Sequence, residues 1–242
     1  MNTPESLQPL LSIEGLRFRW PRAERDCVAI ERFELLPGET VFVRGPSGCG
    51  KSTLLSLAAG VLTASEGSVR LLGSDWRALS PVRRDRLRAD HVGYIFQQFN
   101  LLPYLSVLDN VLLPCRFSTR RRARSTESGV PPEQTASRLL DRLGLEAALC
   151  RRSASDLSVG QQQRVAAARA LVGRPELVIA DEPTSALDEA LRESFMRLLL
   201  GACTEAGSAL LFVSHDARLA SQFDRQIDLP ALNRASVAAA ST

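Results

Sequence analysis

Apolar residues fall into two periods along this chain, and the switches between them mark out the elements. Short runs rich in β-branched residues predict strands: 11–19, 27–36, "TVFVRG" (40–45), "SVRLL" (68–72), "HVGYIF" (91–96), "ELVIAD" (176–181) and "SALLFVS" (208–214). The first two read as an antiparallel pair, and Pro37-Gly38-Glu39 turns the chain into the third. Helical stretches separate the later strands, from about Lys51 to Ala59, over "SPVRRDRLRAD" with its Ser-Pro start, and over 188–205. Between 98 and 172 strand signals stop, and "SVLDNVLLP", "PEQTASRLLDRLGL" and "QQQRVAAARALV" all read as helices. Strands alternating with helices predict an α/β fold with a largely parallel sheet, an N-terminal antiparallel β subdomain and a helical insert. The expected domain is single, over 11–230, with its core at 11–97 and 173–230 and its helical subdomain at about 98–172; residues 231–242 read as a flexible tail.

Composition narrows the classes of function without choosing among them. A chain of 242 residues with 45% apolar and 24% charged residues can bury a large core. A net charge of +3 gives no global reason to expect a nucleic-acid partner, and none is expected. The five cysteines are scattered without a CxxC pair, which argues against a zinc site or a disulfide scaffold. The opening residues lack a basic region followed by an apolar one, so no signal peptide is expected. No apolar run approaches the roughly 20 residues of a membrane helix, so any membrane role is expected to come through a partner.

The chemistry begins at "GPSGCGKST". Gly45 to Ser52 satisfies G-x-x-x-x-G-K-[ST], placed between an apolar strand and a helix, which is the phosphate-binding arrangement of a P-loop NTPase. Glycines let successive backbone N–H groups turn inward as an anion nest, so Gly45, Pro46, Ser47, Gly48, Cys49, Gly50, Lys51, Ser52 and Thr53 are the candidate ATP contacts. Lys51 suits the β- and γ-phosphates and the Ser52 hydroxyl suits Mg²⁺. Cys49, among inward amides, is either a thiol of lowered pKa or a tolerated side chain, and the second reading is preferred. In "LVIADEP", four apolar residues and two acids describe a buried parallel strand ending at the site. Asp181 suits a Mg²⁺ contact through water, and Glu182 suits the group that polarises the attacking water.

Three further motifs follow in order: "LSVGQQQRVAAARAL" (157–171), "DEPTSALD" (181–188) and "FVSHD" (212–216). Together with the first two, they resemble the nucleotide-binding subunit of ATP-binding cassette (ABC) transporters over roughly residues 11–230. The resemblance implies that two subunits sandwich two nucleotides, with Ser158, Gly160 and Gln161 of the signature loop serving ATP on the opposite subunit. It implies that Gln97 reaches the metal and water, that His215 bonds the γ-phosphate, and that Asp188 couples the subunits. Trp20, 25 residues before Gly45, sits where the family places an aromatic ring against adenine; core packing and Phe18 are the competing readings. His91 has no such context and reads as structural.

The family's signature usually carries glycine where this chain has Val159, a residue that resists positive φ; the site is expected to close, with weaker dimerisation. Segment 96–114 resembles the subgroup of lipoprotein-release, macrolide-efflux and FtsE-type ATPases. That implies export or extraction driven through a membrane-spanning permease, at the cytoplasmic face of the membrane. An FtsE-like regulatory ATPase and an amino-acid importer subunit are the alternatives. The run Arg116–Arg124, with five arginines, reads as a solvated loop, with contact to anionic lipid as the alternative.

Overall fold

The computed structural model describes residues 8–126 and 129–237. Its first layer is an antiparallel sheet of β1 (Leu11–Phe18), β2 (Val28–Leu35), β4 (Glu66–Leu71) and β5 (Ser74–Asp75), in the order β2-β1-β4-β5. Buried positions in β1 run Leu11, Ile13, Leu16, Phe18, so the alternation skips a residue at Gly15. Gly15 has φ 56°, and the register against β4 shifts between Glu14 and Arg17. This is a bulge that a glycine permits.

The second layer is a parallel sheet of β3 (Thr40–Arg44), β6 (Val92–Ile95), β7 (Leu177–Asp181), β8 (Ala209–Val213) and β9 (Arg225–Asp228). Its order is β6-β7-β8-β3-β9. Every residue of β8 and the first four of β7 are buried, as strands covered on both faces must be. The carboxyl ends of β3, β8, β7 and β6 therefore bring Gly45, His215, Glu182 and Gln97 to one edge. Helix α1 (Lys51–Ala58) leaves that edge directly from β3.

Helix α2 (Pro81–His91) has no fully buried residue; its first turns are mostly exposed and its last half-buried. His91 ends it rather than opening the strand, a correction of one residue to the predicted strand. The insert contains α3 (Val107–Phe117), α4 (Thr119–Arg124), α5 (Pro132–Arg142) and α6 (Val159–Leu171). Helix α3 runs on through Pro114, where the sequence pattern had ended it. Helix α6 packs closely on β6 because both are small at the contact: a side chain on Gly93 would collide with the Ala170 carbonyl.

The arginine run is helical and not a loop, which corrects that expectation, while Arg116, Arg120 and Arg122 stay exposed. It forms the end of α3 and all of α4, and Arg121 is only 2% exposed. Its guanidinium donates to Val172 O at 2.8 Å, Ala170 O at 2.5 Å and Arg169 O at 3.3 Å, the carbonyls that end α6, and to Val92 O of β6 at 3.4 Å. A cation facing the negative end of a helix is the physical reason Arg121 folds inward. Burial lowers Arg121 to about 10, which leaves it charged at neutral pH.

Helix α7 (Glu189–Ala206) leads back to β8. The predicted tail is corrected at its start: α8 (Leu229–Leu232) and α9 (Arg234–Val237) flank Asn233, which is fully buried. Residues 238–242 of that prediction lie outside the described residues.

Candidate functional site

Between β3 and α1 the chain turns through Gly48 at φ 81° and Gly50 at φ 99°. Both values lie in the region glycine enters without strain, which explains the glycines at these points. No side chain caps α1, and its first turn holds no acidic residue, so its amide donors suit an anion. Pro46, Ser47 and Gly48 are exposed at the loop's outer turn. Lys51 Nζ is nearly buried and donates to Gly45 O at 2.9 Å and Pro46 O at 3.1 Å. It also lies 3.4 Å from Glu182 Oε1.

Glu182 follows β7 with φ 45°, a left-handed conformation unusual for this residue type. Its backbone N–H donates to Val213 O at 2.9 Å, which fixes it beside the end of β8. There Glu182 Oε2 sits 3.1 Å from His215 Nδ1, while the His215 ring remains 66% exposed. Asp181, one residue earlier, is raised by burial, against which a hydrogen bond with Ser52 works. Ser52 and Asp181 thus present paired oxygens, the donor chemistry Mg²⁺ takes alongside phosphate. Gln97 is exposed just past β6 on the same edge.

Cys49 and Thr53 of the P-loop are engaged by their own chain. Burial raises the Cys49 thiol, with Lys51 opposing, so Cys49 is a packed side chain and not an activated one. The Thr53 hydroxyl faces Cys27, which donates to it from 3.6 Å. Trp20 is 45% exposed and meets Phe18 edge-on at 5.1 Å, whereas Phe18 is buried; of the two rings, Trp20 is the one open to a ligand.

The remaining predicted residues gather elsewhere. Ser158 caps α6, accepting from Gln161 N at 3.3 Å while its own N–H donates to Gln161 Oε1 at 3.0 Å. Gly160 and Gln161 line a groove with Leu187 and Asp188, and no P-loop residue lines it. Asp188 accepts from Leu191 N at 2.9 Å as the cap of α7. Val159 is the first residue of α6, with helical backbone, so no positive φ is required of it.

Sequence reasoning missed Arg169 of α6, which donates to Phe99 O at 2.5 Å and Asn100 O at 2.7 Å. Those two residues have φ 59° and 48° and lie just beyond Gln97, so α6 holds the loop that carries it. A charged residue interrupting the alanine run of α6 was the available signal. Asn233, described below, offered none.

A family model described as "ABC transporter" matches residues 31–185. A lipoprotein-releasing system ATP-binding protein, LolD, of Hydrogenovibrio crunogenus is 44% identical over 81% of this chain and 82% of its own length. A probable export ATP-binding/permease protein, MacB, of Pseudomonas entomophila is 39% identical over 93% of this chain, which spans 33% of that protein. Among solved structures, the dimeric ATP-binding cassette MJ0796 bound to ADP and Pi in a post-hydrolysis state is 32% identical with a TM-score of 0.79, over 93% of this chain and 95% of that one. The phosphate loop, the paired acids and the histidine at the sheet edge thus have their place in a shared fold: this chain belongs to the ABC transporter family and is an ATP-binding, ATP-hydrolysing cassette of it.

Proposed function

We propose that this cassette is one of two ATP-binding subunits that clamp Mg-ATP between them and drive a separate membrane-spanning subunit, in export or in extraction of lipid or lipoprotein. The observation that carries the reading is the separation of two anion-suited helix starts. One, at α1, has its hydrolytic carboxylate beside it. The other, at α6, opens on a groove shared with Asp188 and away from its own P-loop, as a surface serving a second subunit requires. The Ser158 hydroxyl accepts in its capping box and keeps its own proton to donate.

Within one site, Lys51 exchanges the Gly45 and Pro46 carbonyls for phosphate oxygens. Glu182, held at both oxygens by Lys51 and His215, orients the water that attacks the γ-phosphorus as the bond to ADP breaks. Ser52, Asp181 and Gln97 would hold Mg²⁺, which would supply charge neutralisation on the phosphates. Trp20 packs against the adenine.

No helix of the described residues is long and apolar enough to cross a membrane. A cavity of about 980 Å³, lined by Tyr94, Phe96, Pro114, Phe117, Arg86 and Arg88 among others, suits a short helix of the membrane subunit and supports a position at the membrane's cytoplasmic face. The names of the LolD and MacB relatives support extraction or export. The test is sedimentation of a Glu182→Gln form with saturating Mg-ATP, alone and with the co-purified permease. A dimer is expected; a monomer in both cases ends the proposal.

A further inference from the structure

The C-terminal segment, beyond the region matched by the family model, backs the P-loop. A side chain on Gly45 would press on Pro230 and Leu229, at 3.2 and 3.5 Å, and one on Gly50 would meet Asn233 Nδ2 at 3.4 Å. The side chain of Asn233 is fully buried and uses its whole hydrogen-bonding capacity. Its Oδ1 accepts from Ala29 N at 2.7 Å and Ala235 N at 3.2 Å. Its Nδ2 donates to Cys27 O at 3.0 Å and Cys49 O at 3.2 Å. Only this orientation of the amide satisfies all four neighbours.

The Cys49 carbonyl belongs to the peptide unit that ends at Gly50 N. In a planar trans peptide the C=O and the following N–H point in opposite directions. Holding Cys49 O outward toward Asn233 therefore turns Gly50 N–H inward, to the side where the phosphates lie. The same amide grips Cys27 and Ala29 at the start of β2, at the far end of the connection that carries Trp20. One side chain thereby joins the phosphate end of the cradle to its ring end.

We propose that Asn233 is a positioning residue for ATP binding, which sets the P-loop peptide at Cys49–Gly50 and fixes it against the Trp20-bearing edge. Its role lies in binding and not in the hydrolytic step, so it separates KM from kcat.

The test compares full-length Asn233→Asp and Asn233→Ala with the parent. Aspartate keeps the two acceptor contacts but sets an oxygen against two carbonyls; alanine removes all four. Both are expected to raise KM for ATP at least tenfold, with kcat at saturating ATP within about threefold of the parent. Asn110→Ala serves as control, since Asn110 is equally buried but bonds Leu102 and Leu105 of the helical insert. It is expected to lower the melting temperature and leave KM unchanged. If aspartate prevents folding, Asn233→Ser, which retains one donor, is measured in the same way. Folded Asn233 variants with parental KM and only a lowered melting temperature would show a structural residue and overturn the proposal.

Discussion

His215 Nδ1 lies 3.1 Å from Glu182 Oε2, although 33 residues separate them in the chain. The pairing follows from β7 and β8 lying in register, with Asp181 opposite Val213. With Lys51 at its other oxygen, the carboxylate is fixed at both ends. Glu182→Gln is expected to reduce phosphate release by about 10²-fold or more, the usual scale for losing a positioned base. His215→Ala should reduce it less, since Lys51 still holds one oxygen. ATP binding, read by equilibrium titration, should survive both changes. Equal loss of binding and turnover would contradict these roles.

Acid stability should depend on Glu176, just before β7. Burial raises its carboxyl, but hydrogen bonds with His91 and Arg120 and the charges of His91 and Arg124 outweigh that and bring it from 4.5 to about 2. A carboxyl depressed in the folded state stabilises above its unfolded value, and that contribution is lost as pH falls through the folded one. Glu176→Gln should therefore lower stability at pH 7 and flatten the acid-unfolding curve between about 4.5 and about 2. An unaltered curve would assign the effect to other groups.

Arg121→Met should destabilise the fold by at least about 2 kcal/mol, because it strands the buried carbonyls that end α6. Arg121→Lys should recover part of this, since an ammonium keeps the charge but cannot span all four carbonyls. Urea unfolding midpoints at constant slope are the measurement.

Val159→Gly isolates the departure in the signature loop. Because Val159 has helical backbone, any effect must come from its side chain at the surface offered to a second subunit. The glycine form is expected to tighten ATP-driven dimerisation of the Glu182→Gln protein. An unchanged dimer constant would make the substitution inconsequential.

What could be read from the sequence was local. Gly45 to Thr53, Asp181, Glu182 and His215 occupy fixed offsets from apolar strands, so pattern alone put them at one edge. Two buried anchors, Arg121 and Asn233, escaped because their partners are remote. The carbonyls that turn Arg121 inward lie 48 to 51 residues ahead in α6, so its charge run looked solvated. Asn233 reaches back 184 residues to Cys49. Pro114 misled in the opposite sense, since helix geometry tolerated a residue that usually ends it.

The backbone at Glu182, with φ 45°, carries a further consequence. Asparagine enters this region more readily than glutamine, so Glu182→Asn should be more stable than Glu182→Gln by about 0.5–1 kcal/mol, though both lack the charge. Differential scanning calorimetry of the pair would measure the difference. Between these two charge-free forms, heat tolerance would report only how well the backbone at this position is accommodated, and turnover would be lost in both alike.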